Sequence, residues 1–129
     1  MGQQPLEMIL ARQLAEHLAF PVVLIDADGS LAFYNEPAEQ VIGVRFEEFG
    51  ALPYDDWSQR VQPVDADGRP LAAEERPLLI AVRERRPSHA RLRLAALGDG
   101  REVEITAIPL LSQSGEFQGI FAIFWEQPG

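Results

Sequence analysis

Two short apolar runs, residues 21–26 and 30–34, are separated by only Ala-Asp-Gly, and no other feature constrains this chain as tightly. Both runs are rich in β-branched, aromatic and aliphatic residues, and an Asp-Gly between such runs turns them into an antiparallel hairpin. A helix start follows directly. Asn35 has the side chain of an N-cap, Pro37 suits a first turn, and Ala38, Val41 and Ile42 recur at helical spacing until Gly43 stops them.

The turn sequence Asp-Ala-Asp-Gly at 26–29 returns at 65–68, which raises the question of paired calcium loops. An EF-hand loop needs oxygen ligands at alternate positions, a glycine at the sixth and a glutamate at the twelfth. Counted from Asp26, glycine stands fourth and Pro37 twelfth; counted from Asp65, glycine stands fourth and Arg76 twelfth. Neither loop supplies the ligands. Asp26, Asp28 and Gly29 are therefore assigned to chain reversal and Asn35 to the cap, with no metal site.

Upstream, Leu6, Ile9, Leu10, Leu14, His17 and Leu18 recur at three- and four-residue spacing, which predicts a helix ended by Pro21. A helix this short must dock its stripe. Two readings stand: packing against its own domain, or a seam with a second copy through Leu6, Leu10, Leu14 and Leu18. Downstream, residues 46–53 read as a further helical turn, and 54–69 as loop, punctuated by Pro53, Pro63 and Asp67-Gly68. A longer helix is expected over 73–85. Leu78, Leu79, Ala81 and Val82 form its apolar side, with acids at its start and arginines at its end.

Strands over 89–97, 102–111 and 117–126 close the chain, joined by Gly- and Ser-rich turns. The order gives an α+β fold: a five-stranded antiparallel sheet with helices inserted after the first hairpin, plus an N-terminal helix. Residues 1–19 form the helix and a possible dimerisation element, and 20–127 the domain. Any space between helices and sheet would be bounded by Phe33, Leu92, Leu94, Val103 and Ile105. Leu79 and Val82 on the helix, and Phe121 and Ile123 on the last strand, complete that set. A filled core and a ligand cavity both fit it, and the last strand, apolar on both faces, leaves its inward side open.

Composition narrows the function. Twenty Asp and Glu against 11 Lys and Arg give a net charge of −9, which disfavours nucleic acid and anionic membrane as partners. The N-terminus has no basic export segment and no apolar run approaches a membrane span, so a cytoplasmic protein is expected. There is no cysteine, hence no disulfide and no sulfur-linked cofactor. Neighbouring acids such as Asp55-Asp56 point to different sides of an element and make no acid–base pair, and no nucleophile, P-loop or dinucleotide motif is present. Glu102 and Glu104 should face Arg91 and Arg93 across strands.

The run VVLIDADGSLAFYNEPAEQVIG resembles the opening of a PAS domain. PVDADGRPLAAEERPLLIAVRER resembles that family's middle section, and GDGREVEITAIPLLSQSGEFQGIFAIFWE its closing hairpin. The resemblance implies a sensory or protein-interaction module, not an enzyme, that passes a change through dimer contacts and flanking helices. It also implies a pocket that is empty or holds a small molecule. A cysteine-linked flavin and a cysteine-linked chromophore are excluded. Haem is the best-defined alternative ligand, but a haem-binding PAS carries its histidine on the long helix, and residues 73–85 have none; His17 and His89 lie elsewhere. The sequence requires no cofactor.

Overall fold

Asp26 builds the first turn with its own side chain. Its Oδ1 accepts from the N–H groups of Asp28 at 2.9 Å and Ser30 at 3.0 Å, while Gly29 takes φ +85°. The second copy is the same device: Asp65 Oδ1 accepts from Asp67 at 2.9 Å and Arg69 at 3.0 Å, and Gly68 takes φ +84°. Both aspartates satisfy backbone donors that a reversing chain would otherwise leave to water. The computed structural model describes residues 5–65, 67–72, 75–94 and 102–126.

The elements run α1 (Leu6–His17), β1 (Val22–Asp26), β2 (Leu31–Tyr34), α2 (Glu36–Ile42), α3 (Phe46–Phe49), α4 (Tyr54–Val61), β3 (Pro63–Val64), α5 (Pro77–Glu84), β4 (Ser88–Leu94), β5 (Glu102–Leu111) and β6 (Phe117–Glu126). The strands form one antiparallel sheet in the order β2-β1-β6-β5-β4-β3. Six strands replace the expected five. The addition, β3, is a two-residue edge strand pairing Pro63 with Leu94 and Val64 with Arg93. Proline at such an edge sacrifices no ladder bond in the sheet interior.

The region expected as loop therefore holds a helix and a strand. In α4, Tyr54, Trp57 and Val61 are spaced three and four apart on one side, and the Pro53 carbonyl accepts from Asp56 at 3.0 Å and Trp57 at 3.1 Å. The two prolines that read as punctuation mark its ends. The helix expected from residue 73 instead begins at Pro77, whose missing N–H costs nothing in a first turn, and Arg76 before it is extended at φ −84° and ψ 119°. Residues 73, 74 and 95–97 of the expected elements lie outside the described residues.

Alternation sorts the strands into two faces. Val23, Ile25, Leu92, Val103, Ile105, Ala107, Ala122 and Phe124 lie on an inner face under α2–α5. Val22, Leu24, Phe33, Ile108, Phe121 and Ile123 lie on the outer face, where α1 packs. Among the described residues no helix is long and apolar enough to cross a membrane.

Candidate functional site

The centre of the inner face is built of small residues. Ala107 and Ala122 on the sheet and Ala81 on α5 are fully buried, so the helices above them rest on larger side chains to either side. Two adjoining cavities of about 70 Å³ each remain. Trp57, Val61, Leu78, Leu92, Leu94 and Ile105 border both. The inner cavity reaches Tyr34, Ile42, Phe49 and Phe124; the outer one reaches Tyr54, Pro63, Arg76 and Pro77.

The aromatic residues over the cavities have their polar ends engaged elsewhere. Trp57 Nε1 donates to the Gly29 carbonyl at 2.9 Å, and the Tyr34 hydroxyl donates to the Val44 carbonyl at 2.7 Å. Burial, and behind it the charges of Glu39 and Glu48, push the Tyr34 phenol up to about 12. It stays neutral at any physiological pH. What faces the cavities is carbon, so they suit an apolar group.

A second feature ties this chamber to α1. Asn35 is 2% exposed and makes four hydrogen bonds. Its Oδ1 accepts from Val22 at 3.0 Å and from Ala38, in the first turn of α2, at 3.1 Å. Its Nδ2 donates to the carbonyls of Ala15 at 2.9 Å and Phe20 at 2.8 Å. One side chain thus joins α1, β1 and α2 with its hydrogen-bonding capacity filled.

On the outer face α1 docks through Met8, Ala11 and Ala15. Gly119 lets it come close: a Cβ there would stand 2.6 Å from Met8 Sδ and 2.6 Å from the Ile25 carbonyl oxygen. The leucine stripe does not dock. Leu6 is 64% exposed and Leu10 and Leu14 are each 54% exposed, whereas Leu18 is partly buried against the outer-face cluster. Between α1 and β2 lies an open groove of about 340 Å³, where the Arg12 guanidinium sits 4.4 Å from the Phe33 ring centre. Met8, Ile9, Leu24, Ala32 and Phe33 make its wall mostly apolar, with Arg12, Gln13 and Glu16 along it, and it opens to solvent.

The sequence model of the family described as "PAS fold" matches residues 15–126. The chain belongs to that family. Known PAS structures share the architecture. The PAS domain of Bordetella pertussis BvgS matches with a TM-score of 0.61 at 19% identity, covering 95% of this chain and 87% of that one. A sensory box sensor histidine kinase from Vibrio cholerae gives 0.62 at 15% identity, over 95% and 93%. The PAS domain of nitrogen regulation protein NR(II) from Vibrio parahaemolyticus gives 0.57 at 14%, over 92% and 98%. At these identities the likeness is one of fold. No curated protein matches significantly.

Within this PAS domain the residues expected around a pocket divide. Leu92, Leu94, Val103 and Ile105 line the inner cavity. Val82 packs on the same core from α5, and Leu79 beside it is half-buried without bordering either cavity, a place taken by Leu78. Phe33, Phe121 and Ile123 belong to the outer face with α1. On β6 Ile120, Ala122 and Phe124 point inward, which two-sided apolar character had hidden. Tyr34, Ile42, Phe49, Trp57, Val61 and Arg76 were not anticipated, and the spacing of Tyr54, Trp57 and Val61 was the signal for several of them.

Neither histidine borders the cavities. His89 lies exposed on β4, with Nδ1 2.7 Å from Thr106 Oγ1 and Nε2 3.5 Å from Glu104. His17 ends α1 at the surface. A haem in the chamber would find no histidine ligand. Among the described residues no group of three metal-binding side chains gathers anywhere. Arg91 meets Glu104 at 3.4 Å, and Trp125 Nε1 donates to the same carboxylate at 3.0 Å.

Proposed function

We propose that this PAS domain is a sensory or protein-interaction module of signal transduction, without catalysis of its own. The chamber between helices and sheet receives a small apolar group. Its occupancy shifts α4 and the Asp26 turn through the Trp57 hydrogen bond, and α1 through Asn35. The output is a change in how α1 meets a second copy of the chain. Leu6, Leu10 and Leu14 form the seam, and the uncovered part of the outer sheet adjoins it.

The observation that carries this reading is the orientation of α1. A helix that buries Met8, Ala11 and Ala15 while turning three leucines to solvent is built for two surfaces. The sensor histidine kinase among the similar structures supports a signalling role. The net charge of −9 supports protein partners over nucleic acid or anionic membrane. The rival reading, a sensor dedicated to haem, predicts a Soret band in the purified protein. The test of the seam is light scattering. The native chain is expected to give a dimer mass, and Leu10→Glu and Leu14→Glu a monomer mass. A dimer that survives both substitutions removes α1 from the interface.

A further inference from the structure

The cavities are walled by carbon, but among the described residues one cation stands at their edge. Arg76 borders the outer cavity just before α5. Its Nε donates to the Leu71 carbonyl at 3.0 Å, and a terminal nitrogen donates to the Tyr54 hydroxyl at 3.1 Å. A guanidinium has five N–H donors, so more than half remain. The Tyr54 oxygen is the acceptor in that contact, which leaves the phenol proton available for a second partner.

Charge makes the arrangement unusual for this protein. Acids outnumber basic residues 20 to 11, yet no ion pair among the described residues includes Arg76. The residue is half-buried against an apolar wall, where an unpaired charge is costly and an anion is held more firmly than in water. The first turn of α5 starts from the same residue with no side-chain cap, and its positive end adds to the same field.

We infer that the chamber takes an amphipathic monocarboxylate, with its apolar part on Trp57, Leu78 and Ile105 and its carboxylate held by Arg76 and the Tyr54 hydroxyl. This rests on the reading of the chamber as a ligand site and adds the chemical class. An apolar cavity of about 150 Å³ accepts a benzene ring. Each of the two adjoining cavities, about 70 Å³, is near half that volume, so a ring would span both and a short aliphatic chain would fill one. A cationic ligand would be repelled by Arg76 and a neutral one would leave it unpaired. A polyanion would meet a single arginine on an acidic protein.

The test compares phenylacetate with phenylacetamide, its neutral isostere, by calorimetry and by NMR of the Leu78, Leu92 and Ile105 methyl groups. Phenylacetate is expected to move those methyl signals and to bind about tenfold or more tighter than the amide. Arg76→Met, which keeps an apolar stem, should weaken the acid about tenfold or more and the amide, a neutral acceptor, by no more than about threefold. Tyr54→Phe should weaken the acid alone, by about threefold, and serves if Arg76→Met does not fold. Equal binding of acid and amide, or acid binding indifferent to both substitutions, overturns the head-group assignment while the chamber stands as a ligand site. Methyl signals unmoved by either probe overturn both.

Discussion

The two faces of this sheet use the same alternating strand code and reach opposite packing. On the inner face, larger side chains around a centre of alanines carry α2–α5, and space is left. On the outer face, Gly119 lets α1 into direct contact, and Met8 with the Ile25 carbonyl leaves no room for a Cβ there. Inside, the missing side-chain volume becomes a chamber; outside, it becomes a tight joint. One missing methylene more or less decides which, because packed surfaces do not adjust continuously. Asn35 is where the two meet.

The largest expected effect is therefore at Asn35. Asn35→Ala leaves two N–H groups and two carbonyls without their partner, and should lower unfolding stability by about 3–5 kcal/mol in a denaturant titration. A loss under about 1 kcal/mol would mean that the two faces are not joined there. Next, Gly119→Ala should cost about 2–4 kcal/mol, because one of the two atoms its Cβ meets is backbone. Hydrogen exchange should locate the damage in α1 while the methyl groups of Leu92 and Ile105 keep their environment. Uniform loosening of both faces would deny that the joint is local.

A smaller effect is set by pH. Tyr34 is raised from 10.0 to about 12, so the folded state holds its proton where the unfolded chain has released it. Its contribution is complete below pH 10 and is lost as pH climbs from 10 towards 12, at most about 2 kcal/mol. Tyr34→Phe should flatten that slope at the expense of one hydrogen bond, about 1 kcal/mol. A slope that persists in the variant assigns it to another group. Smallest of all, Leu10→Glu should change the stability of the monomer by less than about 0.5 kcal/mol, because the side chain is exposed. A larger loss would mean that this stripe packs within its own domain.

Much of the inner architecture was written locally. Both aspartate turns, the Asn35 cap and the bounds of β5 and β6 follow from residues within a few positions of one another. What escaped depends on distant partners. The leucines of α1 are among its most apolar residues, yet Met8 and two alanines dock, and the surface Met8 meets contains Gly119, far along the chain. Which side of β6 faces the helices is likewise decided by α1 covering Phe121 and Ile123. In α4 the two aspartates of the first turn and the flanking prolines obscured a three-residue stripe that supplies Trp57 to the chamber. Arg76 carries no signal in sequence at all; its role comes from the apolar wall behind it.

The central claim is that the chamber and α1 communicate, and Leu78→Phe tests it most directly. Leu78 borders both cavities from α5, on the side of the sheet opposite α1, so a ring placed there fills the chamber without touching the seam. Analytical ultracentrifugation should show the dimer dissociation constant of this variant shifted by about fivefold or more from the native value, with the fold retained. A native dimer constant in a folded Leu78→Phe protein would contradict the account.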